Sequence, residues 1–207
     1  MLNPTTQAQQ IYPHLPEKIT PIQHYVFYSH GKIVEGNNAK PYHPDWGMYN
    51  FPAIKAQLAD PNYTLIATHR AKNIKVKDAA EQLANSVNQL LRRGVKAKNI
   101  SLVGFSRGGA ITILAAQLLQ SPQLNVALLA SCLPWMKNND SYRLIGAVFS
   151  IYETSDTVGS CQFLLKQSTE VSIFKELAIT TNRSHGAFYS PNPVWLTPLK
   201  QWLKRPL

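Results

Sequence analysis

Gly104-Phe105-Ser106-Arg107-Gly108 joins an apolar, β-rich run, Ile100 to Phe105, to a helix-forming run, Ala110 to Gln120. In that setting a G-x-S-x-G segment reads as a nucleophile elbow. The serine is held at a strained strand-to-helix corner, and the glycines let backbone and substrate approach without a Cβ clash. The hydroxyl then faces open space. The first amides of the following helix and its positive dipole end point at the corner, where they suit an oxyanion forming beside Ser106. A tight glycine turn could carry the same letters by chance; the strand before and the buried helix after favour a catalytic Ser106.

An elbow serine needs a base to take its proton and an acid to orient that base, and in hydrolases built this way they follow in the order Ser, Asp or Glu, His. Ala147 to Tyr152 reads as a strand running into Glu153-Thr154-Ser155-Asp156-Thr157-Val158-Gly159, a polar turn. Asp156 lies just past the strand end, the expected place for the acid; read blandly, it is a turn-forming Asx residue. Among the other acids of the second half, Asp140, Glu153, Glu170 and Glu176, only Glu153 also lies near a strand end, nearer the strand interior. His185 is the only histidine after the elbow, in a loop between the expected last strand, Val171 to Ile179, and a C-terminal helix. Order and strand-end placement mark it as the base rather than a solvated loop histidine.

Upstream, Tyr25-Val26-Phe27-Tyr28-Ser29 is a β-prone run ending in His30-Gly31-Lys32. Acyl transfer builds negative charge on the carbonyl oxygen, so two backbone amides must already face it, one after the nucleophile and one from this loop. The expected oxyanion donors are the N–H groups of Arg107 and Lys32. His30 precedes the serine and reads as a residue that ties the loop down, not as a base. The six histidines show no H-E-x-x-H or comparable spacing, and Cys132 and Cys161 form no zinc pattern. No metal and no cofactor is expected.

Through Ser29-His30-Gly31, the segment Gly104 to Gly109, Ser155-Asp156 and Ser184-His185-Gly186, the chain resembles the α/β-hydrolase superfamily over residues 24 to 204. It looks most like small, lidless bacterial members of largely uncharacterised function, which carry a stretch similar to His30-Gly31-Lys32-Ile33-Val34-Glu35. The resemblance implies a parallel-sheet fold and serine-dependent hydrolysis of ester-type bonds; it implies no particular substrate. Two features depart from the family pattern. The loop reads His-Gly-Lys rather than His-Gly-Gly-Gly, which bears on Lys32, and the antiparallel strands that usually open the fold are short or absent, which implies a smaller sheet.

The 207 residues, 44% hydrophobic, can bury one sizeable core without disulfides or metals. The expected organisation is a polar, Pro-rich N-terminal arm, residues 1–23, over a single α/β domain, residues 24–207. The arm carries no apolar signal-peptide core. Further along are a helix from Tyr49 to Leu58, a strand from Tyr63 to Thr68, a helix from Asp78 to Arg93 and a strand from Asn125 to Ser131. Asp78 and Glu81 resemble a capping box, Leu83, Val87, Leu90 and Leu91 share one face, and Gly94 stops that helix.

This alternation argues for a three-layer α/β/α sandwich with a mostly parallel sheet. Lys32, Ser106, Asp156 and His185 all follow strands, so the site gathers beyond the carboxyl ends of the sheet. Only Cys132 to Gly146 is available for a cap domain, so the fold is minimal and the site open or lightly covered. Leu133, Pro134, Trp135 and Met136 are candidates for one apolar wall of a substrate pocket, and Tyr42, Trp46, Met48 and Tyr49 for another, with Trp46 and Trp135 as the substrate contacts. The plain alternative for both clusters is core or rim packing.

A net charge of +10 is compatible with a small anionic ester as substrate. The basic residues, Lys72, Lys75, Lys77, Arg92, Arg93, Lys200 and Arg205 among them, are scattered without a recognition motif, so no nucleic-acid partner is expected and a solvated basic surface is the plain alternative. No apolar run approaches the roughly 18 residues of a membrane span. Cys132 and Cys161 follow successive strands at one sheet edge, where a disulfide is possible. Pairing after removal of a leader would fit a periplasmic or secreted protein; reduced thiols behind a native N-terminus would fit the cytoplasm. The mechanism these residues support is two-step acyl transfer through Ser106, with carboxylic esters as the default and thioesters or amides open to the same constellation. The alternative from another class is a catalytically silent binding or scaffold protein on the same fold.

Overall fold

The computed structural model describes residues 11–205; residues 1–10 of the expected N-terminal arm lie outside the described residues. In chain order the strands are β1 (Ile11–Tyr12), β2 (Tyr25–Ser29), β3 (Tyr42–His43), β4 (Gly47–Met48), β5 (Thr64–Ile66), β6 (Ile100–Phe105), β7 (Asn125–Leu129), β8 (Ile145–Glu153) and β9 (Glu170–Ile179). The helices are α1 (Phe51–Leu58), α2 (Val76–Arg92), α3 (Arg107–Leu119), α4 (Gln162–Lys166) and α5 (Pro193–Lys204). Seven strands join one sheet in the order β1-β5-β2-β6-β7-β8-β9, and every pairing in it is parallel. The other two, β3 and β4, form a short antiparallel hairpin.

Helices cover both faces, which is why the inner strands read as unbroken buried runs rather than alternating ones. On one face α1 and α5 pack Phe51, Ile54, Leu58, Trp195 and Leu199 against Val103, Leu129 and Phe149. On the other, α2 and α3 pack Val87, Leu90, Ile113 and Ala116 against Leu102, Val126 and Leu128. The two faces of β6 therefore feed two cores, and all six of its residues are buried.

Strand order also locates the site. From β2 the chain crosses to β5 on one side, then returns through α2 to β6 on the other, so neighbouring connections diverge between β2 and β6. In open α/β sheets that divergence leaves a crevice beyond the carboxyl ends of the strands. Ser29 pairs with Gly104 in the β2–β6 register, so the His30-Gly31-Lys32 loop and the Ser106 corner leave the sheet side by side.

The structure meets some expectations and corrects others. The arm is not merely draped over the surface: Ile11 and Tyr12 add an edge strand to β5, two residues too short to show a periodic pattern. The expected three-layer α/β/α sandwich is present, and every pairing of its seven-stranded sheet is parallel. No capping box opens α2, which begins two residues early at Val76 with Lys75 as its N-cap and no side-chain cap bond. Asp78 lies inside the first turn, exposed, and Glu81 instead faces Lys77 at 4.0 Å, one turn away. Between Cys132 and Gly146 the chain makes only a 3₁₀ turn, Pro134–Met136, and no cap domain. A disulfide joins Cys132 to Cys161 with Cα atoms 5.2 Å apart, tying the loop after β7 to the loop after β8.

Candidate active site

Ser106 occupies the corner between β6 and α3 with φ 55° and ψ −120°, a conformation costly for a residue with a side chain. Close packing enforces it. A Cβ on Gly108 would fall 1.9 Å from the Ser29 carbonyl oxygen, and one on Gly104 would fall 2.5 Å from the Gly108 oxygen. Ser106 itself is anchored by its amide, which donates to the Leu129 carbonyl at 3.0 Å. The Arg107 amide, first in α3, has no intrahelical acceptor, and the Lys32 amide likewise begins the 3₁₀ turn Lys32–Val34. Gly31 brings that turn close: a Cβ there would lie 3.8 Å from Ser106 Cβ.

Asp156 and His185 come from the loops after β8 and β9. Asp156 Oδ2 meets His185 Nδ1 at 2.6 Å, while its Oδ1 accepts the Val158 amide at 3.1 Å. The carboxylate is 2% exposed, so its partners rather than water satisfy it. The imidazole is buried between the rings of Phe105, 4.8 Å away, and Trp46, 5.0 Å away. With Nδ1 engaged by Asp156, Nε2 is the nitrogen left for the cavity. Among the described residues no hydrogen bond joins it to Ser106 Oγ.

Ser106, Asp156, His185, Lys32 and Trp46 all line one cavity of about 490 Å³. Its lining mixes apolar and polar side chains. Trp46, Phe105, Leu133, Val158 and Tyr189 are its apolar members, and Glu35 and the exposed Lys32, Lys72 and Asn73 are among its polar ones. Trp135 is not in the lining. After Leu133 the 3₁₀ turn buries Met136 and sends Trp135 outward, 54% exposed, edge-on to Tyr142 at 5.0 Å. Tyr42 and Met48 also face solvent, while Tyr49 is buried and shares a 2.7 Å hydrogen bond with Tyr28. A second cavity of about 520 Å³, between α2 and His14, does not reach Ser106.

Sequence reading missed a charged network that reaches the cavity through Glu35. Arg107 Nε donates to Glu35 Oε1 at 3.0 Å, and Arg70 lies 3.6 Å from the same oxygen. Residues 35, 70 and 107 are too far apart in the chain for any local pattern to reveal the pairing. His30 lies beneath the same loop, fully buried; its Nε2 accepts the Arg70 amide at 2.9 Å and its Nδ1 donates to the Gly31 carbonyl at 2.8 Å. Burial, helped by the charge of Arg70, pushes this imidazole down to about 2. Between that value and 6.5 the unfolded chain binds a proton that the folded one refuses, so stability is lost as pH falls. Unfolding free energy is expected to drop by on the order of 1.4 kcal/mol per pH unit from this group below 6.5. In urea titrations from pH 7 to pH 5, His30→Gln should flatten that slope; an unchanged slope would mean that His30 does not carry it.

Among the described residues no group of three or more metal-ligating side chains converges, and no helix is long and apolar enough to cross a membrane. A parallel sheet covered on both faces, with a strained serine corner at its switch point, defines an α/β hydrolase. The chain belongs to the phospholipase/carboxylesterase family, whose profile matches residues 61–186, more than half of its length. Solved structures share the fold at low identity. A lidless α/β serine hydrolase from Xanthomonas campestris, XC6422, is 16% identical with a TM-score of 0.55, over 93% of this chain and 84% of that one. SOBER1 from Arabidopsis thaliana is 16% identical with a TM-score of 0.58, over 89% of this chain and 99% of that one. The structure of an esterase is 15% identical with a TM-score of 0.58, over 91% of this chain and 72% of that one. No curated protein sequence matches at a significant level.

Proposed function

We propose that this hydrolase cleaves carboxylic esters through an acyl-enzyme on Ser106, with His185 as base and Asp156 as the acid that orients it. The observation that carries the reading is the 2.6 Å contact from Asp156 to His185 Nδ1, in the cavity that also receives the strained Ser106. Ser106 Oγ attacks the carbonyl carbon as its proton passes to His185 Nε2. The Arg107 and Lys32 amides hold the oxyanion. Collapse expels the alcohol, which takes the proton from His185, and a water activated by the same imidazole then releases the acid. Thioesters and amides could follow the same path.

A fluorophosphonate probe tests this directly, because it forms a covalent adduct only with an activated serine. Intact mass and peptide mapping are expected to find one adduct, on Ser106. Folded protein that stays unlabelled would favour the binding-protein reading instead.

The cavity also favours one kind of ester. Glu35 is answered by two arginines and Asp156 faces His185, whereas among the described residues neither Lys32 nor Lys72 pairs with an acid. An ester with an apolar arm and an anionic arm suits a lining that holds both Trp46 and the two lysines. Lys72→Gln should lower kcat/KM for p-nitrophenyl hydrogen glutarate by about threefold and leave p-nitrophenyl butyrate unchanged, a difference that shrinks in salt. Equal losses on both esters would remove the preference.

A further inference from the structure

Glu153 ends β8 and is completely buried, yet among the described residues no cation pairs with it. Its partners are all hydrogen-bond donors, and they come from two different loops. Oε2 accepts the Ser155 amide at 2.6 Å and the Ser155 hydroxyl. Oε1 accepts the amides of Thr181 at 2.8 Å and Asn182 at 3.0 Å, with the Thr181 hydroxyl at 3.3 Å. The first loop carries Asp156 one residue further on; the second carries His185. Ser155 Oγ completes the bridge by accepting the Ser184 amide at 3.2 Å.

The second loop needs such a hold. Asn182 and Ser184 have φ of 56° and 47°, left-handed values that neither residue adopts without cost, just before His185. A conformation of that kind persists only where its surroundings over-determine it. Burial by itself would raise the Glu153 carboxyl, but the hydrogen bonds from Ser155, Thr181 and Asn182 outweigh it and hold the group below the ordinary carboxylate range. It is therefore an anion at neutral pH, with every near donor aimed at it.

We infer that Glu153 is a positioning residue: one buried carboxylate clamps the Asp156 turn to the His185 loop and so fixes the geometry of the imidazole. The inference rests on the proposed roles of Asp156 and His185, but the clamp can be read without turnover. The groups facing Glu153 are amides and hydroxyls from both loops, so a glutamine there must turn its NH₂ toward donors on one side or the other.

The test is Glu153→Gln in the full chain, followed in two ways. The low-field proton resonance of His185 Nδ1–H, identified by its absence in His185→Ala, is expected to shift or vanish. On a neutral p-nitrophenyl ester kcat should fall about a hundredfold, as small misplacements do, while KM stays within about twofold. Ser155→Ala, which removes only the hydroxyl bridge, should shift the resonance less and cost about tenfold in kcat. A folded Glu153→Gln protein with the wild-type resonance and kcat would overturn the clamp. Should that variant not fold, an unchanged resonance and kcat in Ser155→Ala would overturn it equally. Turnover that survives in Ser106→Ala would sink the hydrolase mechanism instead, and the resonance comparison would still decide the clamp.

Discussion

Ser106→Ala is expected to lower turnover of a p-nitrophenyl ester by about six orders of magnitude, leaving only the residual rate that binding and oxyanion stabilisation supply, while the protein unfolds at the temperature of the wild type or slightly above. The oxygen is the only atom removed. The backbone strain at φ 55° remains, because it is imposed by the approach of Gly108 to Ser29 and of Gly104 to Gly108 rather than by the hydroxyl. Substrate binding should persist, since the apolar wall of Trp46, Phe105, Leu133 and Tyr189 is untouched. A variant that binds a competitive ester but does not consume it separates loss of chemistry from loss of the pocket. Burst kinetics on the wild type, absent in the variant, would show the acyl-enzyme itself.

Asp156→Asn is expected to cost about four orders of magnitude in kcat with little change in KM. The two side chains have nearly the same shape, and either can accept the Val158 amide that Asp156 Oδ1 now takes at 3.1 Å. What changes is the face toward His185. An amide nitrogen there would favour the tautomer with its proton on Nε2, the nitrogen that must accept from Ser106, and would leave no anion beside the imidazolium when it forms. Steady-state rates across pH, compared with wild type, are the measurement. Undiminished turnover would transfer the acid role to Glu153, against a geometry in which the Glu153 oxygens are already engaged by Ser155, Thr181 and Asn182.

What could be read from the letters follows from where each signal originates. β2, β6, β7 and β8 were legible because strands buried on both faces must be continuous apolar runs, and Ser106 because the glycines around it answer a contact that tolerates no Cβ. Asp156 and His185 were singled out by chain order and strand-end placement, and the structure brings their side chains within 2.6 Å. Trp135 was misread because side-chain direction after a 3₁₀ turn depends on which neighbour the core claims, here Met136. Asp78 was misread because the start of α2 is set by tertiary packing and not by a cap. The arm strand was hidden by its shortness. Glu153 was visible as an acid near a strand end, but its partners Thr181 and Asn182, 28 and 29 residues away, are a matter of loop meeting loop.

The wholly parallel sheet also governs how the molecule comes into being on the ribosome. Each strand must wait for a crossover before it finds a neighbour, and β2 gains its second partner only when β6 arrives, so early segments have few local contacts to settle into. The corner at Ser106 can form once β6 and β7 are paired, but the histidine loop follows β9 and emerges last of the site's parts. A nascent chain therefore carries an unassembled site through most of its synthesis. The cavity that Ser106, Asp156 and His185 line is complete only after β9, when the His185 loop docks.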